Sequence, residues 1–180
     1  MKLLPIDRLV SGSGNPSYNG RETSKSRPEK ILILGIGNRM RGDDAIGCLV
    51  ADALQDFTGL TVIDCGSAPE NFIDKVVNYE PKRIIMVDAC NFGAEPGKFQ
   101  LFSERQIEKI YQNLISTHTL PLTLFVAMIK KQLDCEVQLL GVQPGNLEFG
   151  EGLSPKLEKA KKQIINYLKE SIKDNERRNG

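Results

Sequence analysis

The chain has 180 residues with 24 basic and 23 acidic side chains, so it offers no general electrostatic attraction for nucleic acid or an anionic membrane. No apolar run is long enough to span a bilayer, and the interrupted start, MKLLPIDRLV, is unlike a secretory signal. The 4 cysteines are scattered without a C-x-x-C pair, which is typical of reduced thiols. We therefore expect a cytoplasmic protein that acts on a small or folded partner.

Residues 1–29 hold few apolar groups after Val10 and are rich in Ser, Gly, Asn, Pro and charged side chains. Such a segment cannot bury enough apolar surface to offset the entropy lost when it is ordered. We predict a flexible N-terminal arm over 1–29, a single domain over 30–174 and a frayed tail over 175–180.

A strand, a glycine-rich loop and a helix are predicted at the start of the domain. Ile31–Leu34 is a short apolar run typical of a strand buried on both faces of a parallel sheet. The loop GIGNRMRGDD resembles a dinucleotide-binding turn but departs from G-x-G-x-x-G at the third glycine. Beyond it, apolar residues recur at the spacing of an amphipathic helix, namely Ile46, Leu49, Val50, Ala53, Leu54 and Phe57.

Asp43 and Asp44 lie where this loop meets the helix. An aspartate is favoured at a helix N-terminus because its carboxylate accepts backbone N–H groups and offsets the helix dipole. A cap uses one acidic side chain, so the other is expected to point toward the carboxyl ends of the strands, where ligands of open α/β sheets bind. Asp64, after the next strand, is the acidic residue that a dinucleotide site would need, and that interpretation is the less favoured one.

Strands and helices alternate through the central part of the sequence. Leu60–Ile63 and Arg83–Val87 are predicted strands, since each is a short apolar run. The helix between them is expected to begin at a capping box of Ser67 and Glu70, with Pro69 in its first turn. This alternation indicates a parallel sheet with helices on both faces.

Asp88 directly follows the strand Arg83–Val87. If this strand is parallel to Ile31–Leu34, Asp88 emerges at the same edge of the sheet as Asp43 and Asp44. An aspartate at a strand end also suits an ordinary turn or cap. The shared edge is what favours a functional role.

The next strand, Lys98–Phe102, is too close to its predecessor for a crossover helix, so we predict that it is antiparallel. Ser103 and Gln106 form a capping box for a short helix that ends near Tyr111. The last elements are a strand, Glu136–Val142, and a helix capped by Ser154 and Pro155 that ends near Lys173.

His118 is the only histidine, and it lies just ahead of a helix predicted to begin near Leu120. A single histidine is often a structural hydrogen-bonding group, but this one sits in a polar loop where packing does not require it. Imidazole is a common ligand of nickel and zinc. Two carboxylates and one imidazole would make an open metal site.

Five segments, in this order, resemble the motifs of the endopeptidases that mature the large subunit of nickel-iron hydrogenases: GIGNRMRGDDAIG, IDCGSAPEN, IIMVDACNFGAEPG, STHTLPL and LLGVQPG. The resemblance runs from about Ile31 to Ile165. The variants GDD, GSAPEN, THxxPL and GxQP are most similar to the branch that processes formate hydrogenlyase-type, energy-converting hydrogenases. One such motif is unspecific, whereas the ordered set is highly specific.

The resemblance implies a three-layer α/β/α fold, phosphorylase/hydrolase-like, with a five-stranded mixed sheet of order 2-1-3-5-4 whose fourth strand is antiparallel. It places the family's metal-contacting, catalytic positions at Asp44, Asp88 and His118. Many members carry Glu where Asp44 stands, so the charge is the same here but the reach is shorter.

The activity that the resemblance implies is that of a hydrolase, an endopeptidase of aspartic or metal-dependent type. It removes the C-terminal extension of a hydrogenase large-subunit precursor whose nickel arrives with the substrate, and another divalent ion could replace that nickel in crystals. We expect a monomer. The absence of an H-E-x-x-H zinc-protease motif from the sequence favours recognition of a substrate's metal over a resident one.

Two other classes of protein stay open from the sequence. A cysteine hydrolase could pair Cys90 with His118. A non-catalytic nickel chaperone or nucleotide-binding accessory protein could be built on the glycine-rich loop.

Overall fold

A five-stranded mixed sheet forms the centre of the protein, whose computed structural model describes residues 30–111, 122–150 and 152–179. The strand order is 2-1-3-5-4, and only the pairing of the fourth strand with the fifth is antiparallel. The predicted order and the direction of the fourth strand are therefore confirmed. The strands are β1 (Ile31–Ile36), β2 (Thr61–Gly66), β3 (Arg83–Ala89), β4 (Phe99–Ser103) and β5 (Glu136–Val142).

Helices cover both faces of this sheet, which confirms the predicted three-layer α/β/α fold. The helices are α1 (Ile46–Leu54), α2 (Ile73–Tyr79), α3 (Glu104–Tyr111), α4 (Leu122–Gln132) and α5 (Pro155–Asn179). Alternate residues of β1 enter different cores because side chains along a strand point to opposite faces. Leu32 and Leu34 pack with α2, α3 and α4, whereas Ile31 and Ile33 pack with α1 and α5.

Helix α1 lies very close to the strands that precede the site. A Cβ atom at Gly47 would collide with the carbonyl oxygens of Ile36 and Val87. Glycine is needed here because the helix backbone touches the ends of β1 and β3 directly. Since α1 follows immediately after Asp43 and Asp44, this contact holds both aspartates near the carboxyl edge of the sheet.

The start of the α2 segment differs from the predicted capping box. The chain turns at Gly66, whose φ is 54°, and a 3-10 helix over Pro69–Phe72 precedes α2. Its N-cap is Ala68 and it has no side-chain cap, so Ser67 does not pair with Glu70. Proline suits the first helical position, which moves the helix start one residue beyond the place that the capping box requires.

The second capping box is confirmed, since the side-chain oxygen Oε1 of Gln106 accepts bonds from the backbone N–H and the hydroxyl of Ser103, both at 2.9 Å. Helix α5 differs at its other end, because it continues past Lys173 to Asn179. The predicted fraying of the tail over 175–180 stays a prediction.

Helix α1 ends at Leu54, before Phe57, which the sequence pattern had placed on its apolar face. The ring of Phe57 lies instead 5.0 Å from the ammonium group of Lys169 and 5.9 Å from that of Lys173, both on α5. Phe57 therefore joins the two helices from a turn rather than from within α1.

Candidate active site

The predicted aspartates gather at the carboxyl edge of the sheet, where β1, β3 and β5 end side by side. The loop after β1 leads into a 3-10 helix, Gly42–Ala45, that carries Asp43 and Asp44 and contacts β3. A Cβ at Gly37, whose φ is 147°, would collide with the carbonyl oxygen of Asp44. The glycine thus lets the loop fold back over the strand end.

Asp43 is buried and acts as a hub for the loop that follows β5. Its carboxylate accepts backbone N–H bonds from Gly145 at 2.8 Å, Asn146 at 2.8 Å and Ser154 at 2.7 Å. The hydroxyl of Ser154 donates to it as well, at 3.1 Å. The expectation that one aspartate caps the following helix is wrong, because the cap position of α1 is Ala45 and has no side-chain bond. Asp43 instead ties distant loops together.

Asp44 is almost fully buried, and its carboxylate is bonded to the backbone of its own loop. The backbone N–H of Asn38 donates to Oδ2 of Asp44 at 3.1 Å. The backbone N–H of Asp44 donates in turn to the carbonyl of Arg41 at 2.9 Å. These bonds fix the position of the carboxylate relative to the end of β1.

Asp88 is fully buried within β3, whose residues alternate between the two faces of the sheet. It has the same parity as Met86, so it faces the layer of α2, α3 and α4. There the hydroxyl of Tyr111, the last residue of α3, donates to Oδ2 of Asp88 at 2.9 Å. Tyr111 therefore fixes the orientation of this carboxylate.

The surroundings of Tyr111 also determine its protonation state. Burial raises the pKa of Tyr111 well above its ordinary value, and the charges of Asp88 and, more weakly, Asp44 act in the same direction. A tyrosine in this setting stays protonated and serves as a hydrogen-bond donor.

His118 lies outside the described residues, so its predicted place beside Asp44 and Asp88 stays a prediction. Within the described ranges, no group of three His, Cys, Asp or Glu side chains is arranged to hold a metal ion. The two aspartates alone supply oxygen donors, which suit nickel but do not complete a coordination shell. Their chemistry therefore fits two ligands of a shared site.

Gln143 organises the loop that follows Asp88. Its side-chain oxygen accepts the backbone N–H groups of Phe92 at 3.0 Å and Ala94 at 3.1 Å, and its amide donates to Asn91 at 3.2 Å. The NFG and QPG motifs are therefore joined by side-chain to backbone bonds. These motif residues therefore hold the loops of the site in place.

The carboxylate of Asp64 is engaged by Arg39, which donates to Asp64 at 2.6 Å and to both oxygens of Asp52 at 2.8 and 2.9 Å. Burial raises the pKa of Asp64, but bonds from Arg39, the N–H of Gly66 and Cys48 outweigh it, so the pKa is lowered overall. This network removes the acidic residue that a dinucleotide site would use, and the nucleotide-binding interpretation loses its support.

Cys90 lies in the core behind Asp88. Burial raises the pKa of the Cys90 thiol to about 12, and the charge of Asp88 adds to the effect. A Cβ at Gly141 would collide with its sulfur, so no room exists on that side. A buried, protonated thiol is a poor nucleophile, which argues against the cysteine hydrolase.

The sequence did not identify Tyr111, Gln143 or Arg39 as site residues. Each makes its decisive bond to a residue far away along the chain, at separations of 23, 51 and 25 residues. Such pairs have no local spacing signal. The family resemblance included Gln143 within the motif LLGVQPG but gave it no role.

Comparison with known proteins identifies the family. The model of the hydrogenase maturation protease family matches residues 48–171. The chain belongs to this family of proteases, as the ordered motifs predicted.

Of the helices described, none combines the length and apolarity that a bilayer span requires.

Relatives agree with this assignment. The hydrogenase 3 maturation protease of Escherichia coli K12 is 35% identical over 120 residues, which cover 66% of this chain and 75% of that protein. A crystal structure of the NiFe hydrogenase maturation protease HycI from Thermococcus kodakarensis KOD1 has a TM-score of 0.70 at 33% identity, covering 80% of this chain and 92% of that one. A solution structure of the endopeptidase HycI from Escherichia coli has a TM-score of 0.69 at 30% identity, covering 78% and 89%.

Proposed function

We propose that this protein removes the C-terminal extension of a nickel-iron hydrogenase large-subunit precursor that already carries nickel. In this proposal Asp44, Asp88 and His118 contact the precursor's nickel, so that only metal-loaded chains are cleaved. The reaction is hydrolysis of one peptide bond, in which water adds across the C–N bond and leaves a carboxylate and an amine.

The observation that supports this proposal best is the different use of the paired aspartates. Asp43 is committed to holding the loop after β5, whereas Asp44 follows β1 and Asp88 stands near the end of β3, both at the carboxyl edge of the sheet. Ligands of open α/β sheets bind at that edge. The place of His118 in the proposal rests on the STHTLPL motif.

The donor chemistry agrees with a metal that belongs to the substrate. Carboxylate oxygen and imidazole nitrogen are both suitable ligands for nickel. Two buried carboxylates strengthen the attraction for a cation because water screens it poorly. A precursor whose nickel docks against them would be held with its adjacent peptide bond at a fixed place, which favours reaction through positioning.

The test compares two neighbouring variants, Asp44→Asn and Asp43→Asn, on nickel-loaded and nickel-free full-length precursor. Wild type should cleave only the nickel-loaded precursor. Asp44→Asn keeps the size of the side chain and removes its charge. Loss of a charged contact worth about 3 kcal/mol should lower the rate of cleavage by about 100-fold. The melting temperature should stay unchanged.

Asp43→Asn should do the opposite. An amide cannot accept on both of its atoms, so the variant should lose about 1.5–3 kcal/mol of stability. At a temperature where it is folded, its cleavage rate should fall far less than that of Asp44→Asn, because the carboxylate of Asp44 is still present. An Asp44→Asn variant that is folded and processes precursor at the normal rate would remove Asp44 from the site. A wild-type protein that leaves both precursors full length would favour the chaperone.

A further inference from the structure

Large apolar side chains are exposed at the rim of the candidate site. Phe149 is 77% exposed, Met40 is 66% exposed and Leu147 is 37% exposed. We call these three residues the rim patch. Exposed apolar side chains that cluster in one place typically mark a surface that another molecule covers.

Backbone bonds hold the two loops of the rim patch side by side. The N–H of Gly150 donates to the carbonyl of Met40, and the N–H of Gly42 donates to the carbonyl of Gly150, both at 3.0 Å. These bonds form a short parallel bridge between Arg41 and Gly150. The apolar side chains therefore project from a fixed support.

The side chain of Arg41 completes this support. Its Nε donates to the carbonyl of Leu147 at 3.1 Å, and its guanidinium lies 5.4 Å from the centre of the Phe149 ring. An arginine stacked on an aromatic ring, with a methionine nearby, has the composition of the central part of protein interfaces. A surface held in place before binding loses little conformational entropy when a partner docks.

The rim patch is continuous with the candidate site. Met40 lies in the same loop as Asp44, and Asn38 of that loop donates to the Asp44 carboxylate. The other loop is fastened beneath by the bonds from Gly145 and Asn146 to Asp43. We therefore expect a polypeptide whose scissile bond reaches Asp44 to pass close to the rim patch.

We propose that the rim patch is the docking surface for the hydrogenase large-subunit precursor, which it binds through apolar contacts close to the scissile bond. This inference rests on the proposed function and deepens it, because it separates two tasks. The aspartates recognise the nickel, and the rim patch recognises the protein that carries it.

The test is steady-state cleavage of nickel-loaded, full-length precursor by Phe149→Ser and Met40→Ser. Each variant should raise KM about tenfold with kcat within about twofold of wild type, because lost docking contacts are present in both the bound and the transition state. Met128→Ser is the matched control, since Met128 is 39% exposed on α4, a helix that packs against α2 and α3. It should leave both constants unchanged.

A direct binding measurement with the same precursor separates failure of this inference from failure of the proposed function. Precursor that binds wild type without being cleaved would overturn the proposed function, while weaker binding by Phe149→Ser would still support docking at the rim patch. Equal affinity of Phe149→Ser and wild type would overturn the docking surface. So would a wild-type dimer in sedimentation that Phe149→Ser abolishes, because the rim patch would then bind a second copy of the chain.

Discussion

Asp43 and Asp44 are adjacent in sequence and chemically identical, yet their carboxylates meet different partners. The oxygens of Asp43 receive three backbone N–H groups and one hydroxyl, a set that leaves little capacity for a ligand. Asp44 accepts a backbone N–H of its own loop and lies with Asp88 at the carboxyl edge of the sheet. The structural carboxylate is therefore distinguished from the candidate functional one by its bonds to the loops after β5.

Tyr111→Phe tests whether the tyrosine positions the carboxylate of Asp88. Removing the hydroxyl deletes a hydrogen bond to a charged group, worth about 1.5–3 kcal/mol. We expect kcat for nickel-loaded precursor to fall by roughly 10-fold to 100-fold, the rate equivalent of that loss. The measurement is steady-state kinetics together with urea unfolding.

Tyr79→Phe is the matched control for this prediction. The Tyr79 hydroxyl accepts a bond from Thr61 at 2.9 Å, at the first residue of β2 and so at the opposite edge of the sheet. The Tyr79→Phe variant should be less stable than wild type and should have the same kcat. Equal kinetics for Tyr111→Phe and wild type would show that Asp88 needs no help from the tyrosine.

Individual residues were predictable where the signal was local. The Ser103 and Gln106 pair has its characteristic spacing, and Asp88 stands near the carboxyl end of a strand whose apolar run is clear in the sequence. The role of Asp43 was not predictable, because a cap and a tertiary hub use the same residue type. Only the fold brings Gly145 and Ser154 to its carboxylate.

Three elements around the site are joined by one arginine. Arg39 leaves the end of β1 and pairs with Asp52 on α1 and with Asp64 on β2. All three side chains are partly exposed, so solvent screens these pairs and each contributes modestly to stability. Their combined effect is to fix the loop that leads to Met40 and Asp44.

Asp64→Asn should make the stability of the protein less dependent on acid pH. The folded pKa of Asp64 is lowered, so its contribution is fully present above the unfolded pKa of about 3.9. That contribution is lost as pH falls through the lower, folded pKa. Wild type should therefore exceed Asp64→Asn by about 1 kcal/mol or less at pH 6, and the difference should shrink below about pH 4.

Urea unfolding at several pH values measures this difference. The control is Asp56→Asn, which removes one negative charge from an exposed residue just after α1. A gap between wild type and Asp64→Asn that stays constant from pH 6 to pH 3 would contradict the lowered pKa.

Among the elements, the central strands were the easiest to predict. Buried strands are continuous apolar runs, and the bounds predicted for β5 are those observed. Helix ends were harder, because competing signals lie within a residue or two of each other. Pro69 displaced the predicted cap at Ser67, and α5 outran its expected end near Lys173.

At the scale of the whole molecule, the described residues already cover both faces of the sheet. Helices α1 and α5 pack on one face, and α2, α3 and α4 pack on the other. The loops at the carboxyl edge are then fastened to one another through Asp43 and Gln143. The loops of the candidate site are thus fastened to the same sheet that separates the two cores.

Deleting residues 1–26 should leave this core intact. The deleted segment has few apolar groups to bury, and the sheet has helices on both of its faces without it. We expect a change in unfolding free energy within about 0.5 kcal/mol, which corresponds to roughly 1–2 °C in melting temperature for a domain of this size. The rate of precursor cleavage should also be unchanged. Thermal unfolding and the cleavage assay check both points, and a drop of more than about 5 °C would show that the arm packs on the domain.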